Sequence, residues 1–525
     1  MTGRLAASLS ASIDGQVIAP ADEAFEGSAA LWSARLPRRP ALIARVACTP
    51  DVQRVLQATP QAVPVGIRGR GHDWAGSAHA EGGITIDLSQ MRGVKIDVDA
   101  RIARVEGGAR LDDLMDAAGE HGLAAAVGTV NEVGVTGLTL GGGYGPYLGT
   151  IGLAADNIIS ADVVLADGSI TRASADENAD LLWALRGGGG NFGVVTSLEI
   201  GLTELPEVLA GVIAFGTTEI REVLTAFDRL LPSIPDELAL RPAITSGPDG
   251  NPALLMAVQW NGDAREGAPW VQAAEKLGTP LMSEVHAATP AQALHALDGM
   301  FPAGHHYTVR TVSLPGLTPA AIDALEDGER GRTSPFSAVN IHHFHGAATR
   351  TGSGFSPWAF REQHLMVEMI AATTDADGHD EQVSWADELL SRLEPLGLPA
   401  AYPNLLQHSN GERAAATFGD NLARLHSVKH DVDPTGRFSG IQSASRRAGR
   451  TMIGRASPPD ESGGVEFWQV LAGSAPVRCI ADPLRLARQP RIVTDGRLES
   501  LGALDPAVRP HRQVSRFIDD PAVPA

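Results

Sequence analysis

Residues 68–76 read RGRGHDWAG. Gly69 and Gly71 let the backbone turn tightly and aim successive N–H groups at one point, a geometry that holds an anion such as a pyrophosphate. Taken alone, the string also reads as a β-turn carrying a structural histidine. Two further stretches narrow the choice. Gly128-Thr129-Val130 leads into GVTGLTLGGGYG at 134–145, where six of 12 residues are glycine, and LLWALRGGGGNFGVVT follows at 181–196. The first leaves little side chain between backbone and ligand. The second reads as a helix running through four glycines into a strand. None is the GxGxxG turn of a nicotinamide Rossmann domain, and none is a GxxxxGK[ST] phosphate loop, so both classes are disfavoured.

Around these stretches, from about Trp32 to Leu202, short β-branched runs are separated by turn signals. VPVGIRGRGHDW, GITIDLSQM, KIDVDA, IARVEGGA and ADVVLADGSITRAS each read as a strand. In RLDDLMDAAGEHGL, Leu111, Leu114, Met115 and Ala118 recur at helical spacing and Gly122 offers a stop. Many strands and few helices predict an α+β fold rather than regular βαβ alternation. From about Thr203 to Leu398, helical stretches such as IREVLTAFDRLL and QVSWADELLSRLEPLG alternate with apolar strand candidates, among them SAVNIHHFHGA and HLMVEMIAATT. They predict a second α+β domain, a sheet backed by helices. A later helix, in FGDNLARLHSVKHDVDPTGRF, stops before Pro434. Residues 1–34 carry weak patterning and are expected to be a poorly ordered lead-in. Residues 441–525 hold 12 Arg against 9 Asp and Glu, and read as an Arg-rich extension of unassigned role.

The 525 residues are enough for two to four domains with a large core. Hydrophobic residues make up 43% and charged residues 20%, the balance of a soluble globular protein. The net charge of −20 argues against nucleic acid or an anionic membrane as partner, because either needs a basic face. Two cysteines, Cys48 and Cys479, exclude a disulfide scaffold and a Cys-rich zinc site and fit a reducing cytoplasm. No apolar run reaches membrane-spanning length, and MTGRLAASLSASIDG lacks the apolar centre of a secretory leader. A cytoplasmic location is the expectation.

Taken in order, RGxGH, LGGGYG, LLWALRGGGGNFGVVT, a late YxN and DNxxRLxxVKxxxDPxxxF resemble the FAD-linked oxidases of the vanillyl-alcohol oxidase and p-cresol methylhydroxylase superfamily, nearest its berberine-bridge-enzyme-like branch. The resemblance runs over roughly residues 35–438 and is densest over 63–202. It implies an FAD-binding domain of the p-cresol methylhydroxylase type in two parts, 35–203 and a returning segment at 411–440, around a substrate-binding domain at 204–410. It implies hydride transfer from an alcohol, sugar or secondary metabolite to covalently bound FAD, then to dioxygen, releasing hydrogen peroxide. A dehydrogenase using another acceptor and a flavin-binding protein without turnover are the alternatives, and the chain would act as a monomer or homodimer.

Residue by residue, the resemblance makes His72 the histidine joined through its ring to the flavin 8α-methyl. It places Arg68, Gly69, Arg70, Gly71 and Asp73 in the loop around the pyrophosphate. Gly128, Thr129, Gly134, Gly137, Gly141, Gly142, Gly143 and Gly145 fall in the glycine stretches beside the cofactor. Asp156 and Asn157 approach it, Gly193, Val194 and Val195 lie by its adenosine half, and Asn421 closes the site from the C-terminal side. Tyr402 and Asn404 match the Tyr-x-Asn of a Tyr-x-Asn-Tyr motif near the flavin ring, with Leu405 in place of its last tyrosine. Val130 stands where doubly tethered members carry cysteine, implying a single link. Val135, in the Gly-Val-x-Gly stretch, is small enough for oxygen entry.

Flavin chemistry needs a C–H presented to the cofactor and a group to take the departing proton. Tyr144 and Tyr402 are the candidate catalytic residues. Of the histidine clusters, His305-His306-Tyr307 and the run at 342–345, a strand would put His343 and His345 on one face and His342 on the other. No third ligand accompanies the H-x-H pair, so no metal is expected. His343 and His345 stand as the alternative base.

Overall fold

The computed structural model describes residues 2–35, 38–247, 250–296, 299–406 and 411–438. The Arg-rich extension expected at 441–525 lies outside these residues.

The Ile- and Val-rich runs around the glycine loops form strands, which pair into two sheets. Leu42–Arg45, Ile84–Asp87 and Val65–Arg68 run parallel, with Gln16–Ile18 antiparallel at the edge. All four residues of Ile84–Asp87 are buried, as a central parallel strand covered on both faces requires. Val94–Asp97, Ile102–Glu106, Val194–Gly201, Ile158–Val164 and Ile170–Ala173 make a five-stranded antiparallel sheet in that order. The helix Leu111–Gly119 buries the predicted stripe of Leu111, Leu114, Met115 and Ala118 with Ala103, Val105 and Leu198 of this sheet.

Residues 2–34 are not the poorly ordered lead-in that weak patterning suggests. They form the helix Thr2–Ser10, the strand Gln16–Ile18 and the short helix Phe25–Ala29. Leu9 and Ile13 pack with Val52 and Val55, and the buried Asp51 carboxylate accepts the N–H groups of Asp14 and Gly15 at 2.9 and 3.0 Å. These partners lie some 40 residues downstream, beyond any window in which periodicity is read.

The second domain is a seven-stranded antiparallel sheet. Its order is Met282–Ala288, Val208–Gly216, Pro252–Trp260, Leu238–Ser246, Ala338–Phe344, His364–Thr373, His306–Leu314. Helices Ile220–Leu230, Ala264–Glu275, Pro319–Gly331 and His379–Leu393 pack on it, burying Phe215, Phe227, Ile322, Leu325, Val339, Ile341 and Trp385 in one core. Alternation then sends Asn340, His342 and Phe344 to the other face.

The chain returns to the first domain through the helices Gly411–Phe418 and Leu422–Val432. Phe418, Leu425 and Val428 enter the same core as Leu181, Leu185 and Phe192. Beyond them Phe438 bridges Val65 in parallel, and the buried Arg437 guanidinium donates to the carbonyls of Ala166, Leu56 and Thr59 at 2.6, 2.9 and 3.0 Å. The substitution Arg437→Ala strands three buried acceptors and should lower the unfolding free energy by roughly 3 kcal/mol. Denaturant titration measures this. A loss under about 1 kcal/mol would mean that Phe418 and Leu425 alone hold the segment in place.

Candidate active site

A cavity of about 350 Å³ lies between the glycine loops of the first domain and the helix-free face of the seven-stranded sheet. The first domain lines it with Gly69, Arg70, Gly71, His72, Asp73, Gly128, Thr129, Val130, Gly134, Gly137, Gly193 and Val195, and with the Tyr144 ring. The sheet contributes Val309, Asn340, His342, Glu368 and Ile370, and the later chain Tyr402, Asn404, Leu405 and Phe438. Residues separated by more than 300 positions therefore share one wall.

Other residues that the sequence nominated stand outside this lining, each with a different task. Arg68 turns away, its guanidinium donating to the Ser28 carbonyl. Gly141 and Gly142 admit protein rather than ligand. A methyl group on Gly141 would lie 1.8 Å from Asn404 Oδ1, and one on Gly142, at φ +123°, would lie 2.7 Å from the Tyr402 ring. Gly143 and Gly145 likewise face Ala154 and the Val127 carbonyl. Asp156 is locked in a buried two-pronged ion pair with Arg361, both contacts 2.8 Å, and the Asn157 amide donates to the carbonyls of Ile151 and Leu153. Val194 is buried in the core under the parallel sheet. Asn421 donates its amide to the carbonyls of Ser353, Ser356 and Pro357 and so fastens a loop of the second domain. Val135 packs in the core with Leu111 and Leu140.

In this lining the half-buried His72 ring has a buried Nε2 with no hydrogen-bond partner. Burial pushes its pKa down to about 4, so the imidazole is neutral at neutral pH. An orphaned ring nitrogen beside an open glycine loop and the Arg70 cation suits a covalently held cofactor with an anionic tail.

The sheet's share of the lining centres on Glu368, which the sequence does not nominate. Its Oε1 accepts the Tyr144 hydroxyl; its Oε2 lies 3.1 Å from His342 Nε2 and 3.4 Å from Asn340 Nδ2. Burial acts to raise its pKa, but the charge and hydrogen bond of His342, together with the hydrogen bonds of Tyr144 and Asn340, outweigh it and hold the carboxyl below the ordinary value. Burial and the neighbouring carboxylate push the Tyr144 phenol well up, so its proton stays on oxygen. Tyr402 meets Tyr144 edge-on at 4.8 Å. Its oxygen accepts the Gly143 N–H at 2.6 Å and the Asn404 amide at 3.1 Å. Tyr402 thus braces the glycine turn that carries Tyr144.

A signal for Glu368 was available. It is the only acidic residue in HLMVEMIAAT, a strand otherwise apolar between its end residues His364 and Thr373, and a charge there needs buried partners. The alternation of the histidine strand was read correctly, but its facing was not. His343 and His345 stack on each other at 4.2 Å away from the cavity, and His343 Nε2 meets Gln363 at 2.9 Å. His342 is the histidine that faces the cavity. Two core-facing strand neighbours, Val339 and Ile341, fix that register.

Residues 40–174 match the FAD binding domain family. Over 453 residues the chain is 31% identical to (R)-6-hydroxynicotine oxidase of Paenarthrobacter nicotinovorans, covering 83% of this chain and 98% of that protein. Over 194 residues it is 39% identical to glucooligosaccharide oxidase of Sarocladium strictum, covering 36% of this chain and 38% of that one. A variant of the BBE-like 1 protein of Physcomitrella patens shares the fold, with a TM-score of 0.77 at 19% identity over 84% of this chain and 99% of that one.

The buried histidines give the protein an acid limit. Burial pushes His343 down to about 3 and His364 to about 4, so both stay neutral in the fold. The unfolded chain binds these protons below about pH 6.5. Their contribution is therefore complete above that pH and falls as pH drops, by roughly 2.7 kcal/mol per unit near pH 5 for the pair. Melting curves between pH 7 and 5 should show the decline, and His364→Gln should halve this component. An unchanged slope in that variant would place the acid sensitivity elsewhere.

Proposed function

The chain belongs to the FAD-linked oxidases of the vanillyl-alcohol oxidase and p-cresol methylhydroxylase superfamily, in its berberine-bridge-enzyme-like branch, and on that premise we propose that it is an oxidase holding FAD through a single bond at His72. The observation that carries this reading is that two groups line one cavity: the His72 ring, whose Nε2 has no hydrogen-bond partner, and the Glu368 carboxylate, hydrogen-bonded to Tyr144. Bound FAD would supply hydride acceptance and, through dioxygen, peroxide release.

The protein's own part is placement and proton transfer. Glu368 takes the proton of the substrate O–H or N–H, directly or through the Tyr144 hydroxyl, and His342 and Asn340 hold it in position. Tyr402 keeps Tyr144 in place by bracing Gly143. Val130 puts an apolar side chain in the wall where a second tether would need cysteine. The polar groups of the sheet wall converge on Glu368, while Phe301, Val309, Ile370, Leu405 and Trp74 line the space around them. That pattern suits a substrate with an apolar body and one O–H or N–H next to the oxidised carbon. It suits a sugar poorly, since each hydroxyl would need its own partner. A secondary-metabolite amine or alcohol is therefore favoured, in keeping with a nicotine oxidase relative that covers most of the chain.

Glu368→Gln should slow anaerobic reduction of the flavin by substrate about 10²–10⁴-fold and leave flavin content unchanged. Tyr144→Phe, which keeps the ring and its packing, should slow it less. Wild-type rates in both variants would put the proton acceptor elsewhere. Stoichiometric peroxide under air marks an oxidase; reduced flavin that persists in air and is reoxidised by a quinone would overturn that part in favour of a dehydrogenase.

A further inference from the structure

Trp32 precedes residues 40–174, in a stretch without sequence pattern, yet its indole lies flat on the His72 imidazole, ring centres 4.4 Å apart and planes at 19°. Its other neighbour is Tyr307, stacked at 3.9 Å and 11°. The indole cannot drift. The Trp32 N–H donates to the Gly71 carbonyl at 2.8 Å, its Nε1 to Phe301 at 3.0 Å, and its carbonyl accepts Gly304 N–H at 2.9 Å. Tyr307 is equally tied, its hydroxyl donating to the Pro302 carbonyl at 2.8 Å and its N–H to Ser33 Oγ at 3.3 Å.

We propose that Trp32 and Tyr307 are positioning residues for attachment of FAD to His72; the proposal rests on the covalent reading given above. His72 Nε2 has no hydrogen bond and the ring's polar contact is with its own backbone, so the stacked indole supplies the constraint from outside the residue. Bond formation needs the attacking nitrogen within about 3–3.5 Å of its target and aligned with it. In the attachment, a bond forms between an imidazole nitrogen and the flavin 8α-carbon. One proton leaves the methyl group and one the imidazole, the electron pair left over when the C–H and N–H bonds give way to one C–N bond reduces the flavin, and dioxygen takes that pair with two protons to become hydrogen peroxide. Tyr307 belongs to the edge strand His306–Leu314 of the second domain, so the stack is complete only once that sheet has docked. Attachment therefore follows assembly of the two domains.

The test compares acid-stable with total flavin per protein in purified holoprotein, beside its melting midpoint. In the wild type nearly all flavin should resist acid, and in His72→Ala all of it should be released. Trp32→Leu should keep bound flavin but cut the acid-stable share about tenfold, and Trp32→Phe, which still presents a flat ring, should recover most of it. Acid-stable loading at the wild-type level in Trp32→Leu overturns the proposal and leaves the His72 reading standing. Flavin freed by acid from the wild type overturns both. If Trp32→Leu does not fold, Tyr307→Leu is read the same way, and full acid-stable loading there overturns the proposal.

Discussion

Glu368 is a carboxylate buried in the cavity wall with 5% of its surface exposed, and much of the surrounding architecture serves to keep it charged. Removing such a group from solvent costs several kcal/mol, so it persists only with close, well-aimed partners. Two, His342 and Asn340, come from the adjacent strand. The third, Tyr144, comes from the other domain, 224 residues away in sequence. Tyr144 reaches it because the glycine turn before it is tight enough to meet Tyr402 and Asn404 without side chains in the way. One buried charge thus ties together a strand register, a glycine turn and a loop from late in the chain.

That dependence explains what could be read from sequence. The α+β character, the helical stripe at Leu111–Ala118 and the glycine loops around His72 were legible, because each is a local demand. A period or a close backbone approach writes itself into neighbouring residues. Glu368 was legible only as a charge out of place in an apolar strand, and the roles of Glu368 and His342 were not, since these lie in contacts across the whole chain and a strand's alternation does not say which face is covered by helices. The same ambiguity affected Asp156, Asn421 and Gly141–Gly145. Asp156 pairs with Arg361, Asn421 fastens a loop, and the glycines make room for other protein groups. A motif marks such positions but does not distinguish touching the ligand from building the wall behind it.

The two domains are also stitched together outside the cavity. Besides Trp32, Arg35 donates to Thr308 Oγ1 at 2.9 Å and Ala34 N–H to the His305 carbonyl at 2.8 Å, so a short stretch after the first helices runs beside the edge strand His306–Leu314 of the seven-stranded sheet. An edge strand leaves unpaired backbone groups, and this segment covers part of it. The cavity's wall is therefore held at its rim as well as at its centre.

The pairing of Val65 with Phe438 sets an order of events during synthesis. The first domain emerges from the ribosome with Leu181, Leu185 and Phe192 lacking the cover that Phe418 and Leu425 later supply. More than 200 residues must be translated before that cover arrives, so the half-built domain waits with an open apolar groove. It is in that interval that a chaperone has something to hold, and a chain released before residue 411 keeps the groove for good.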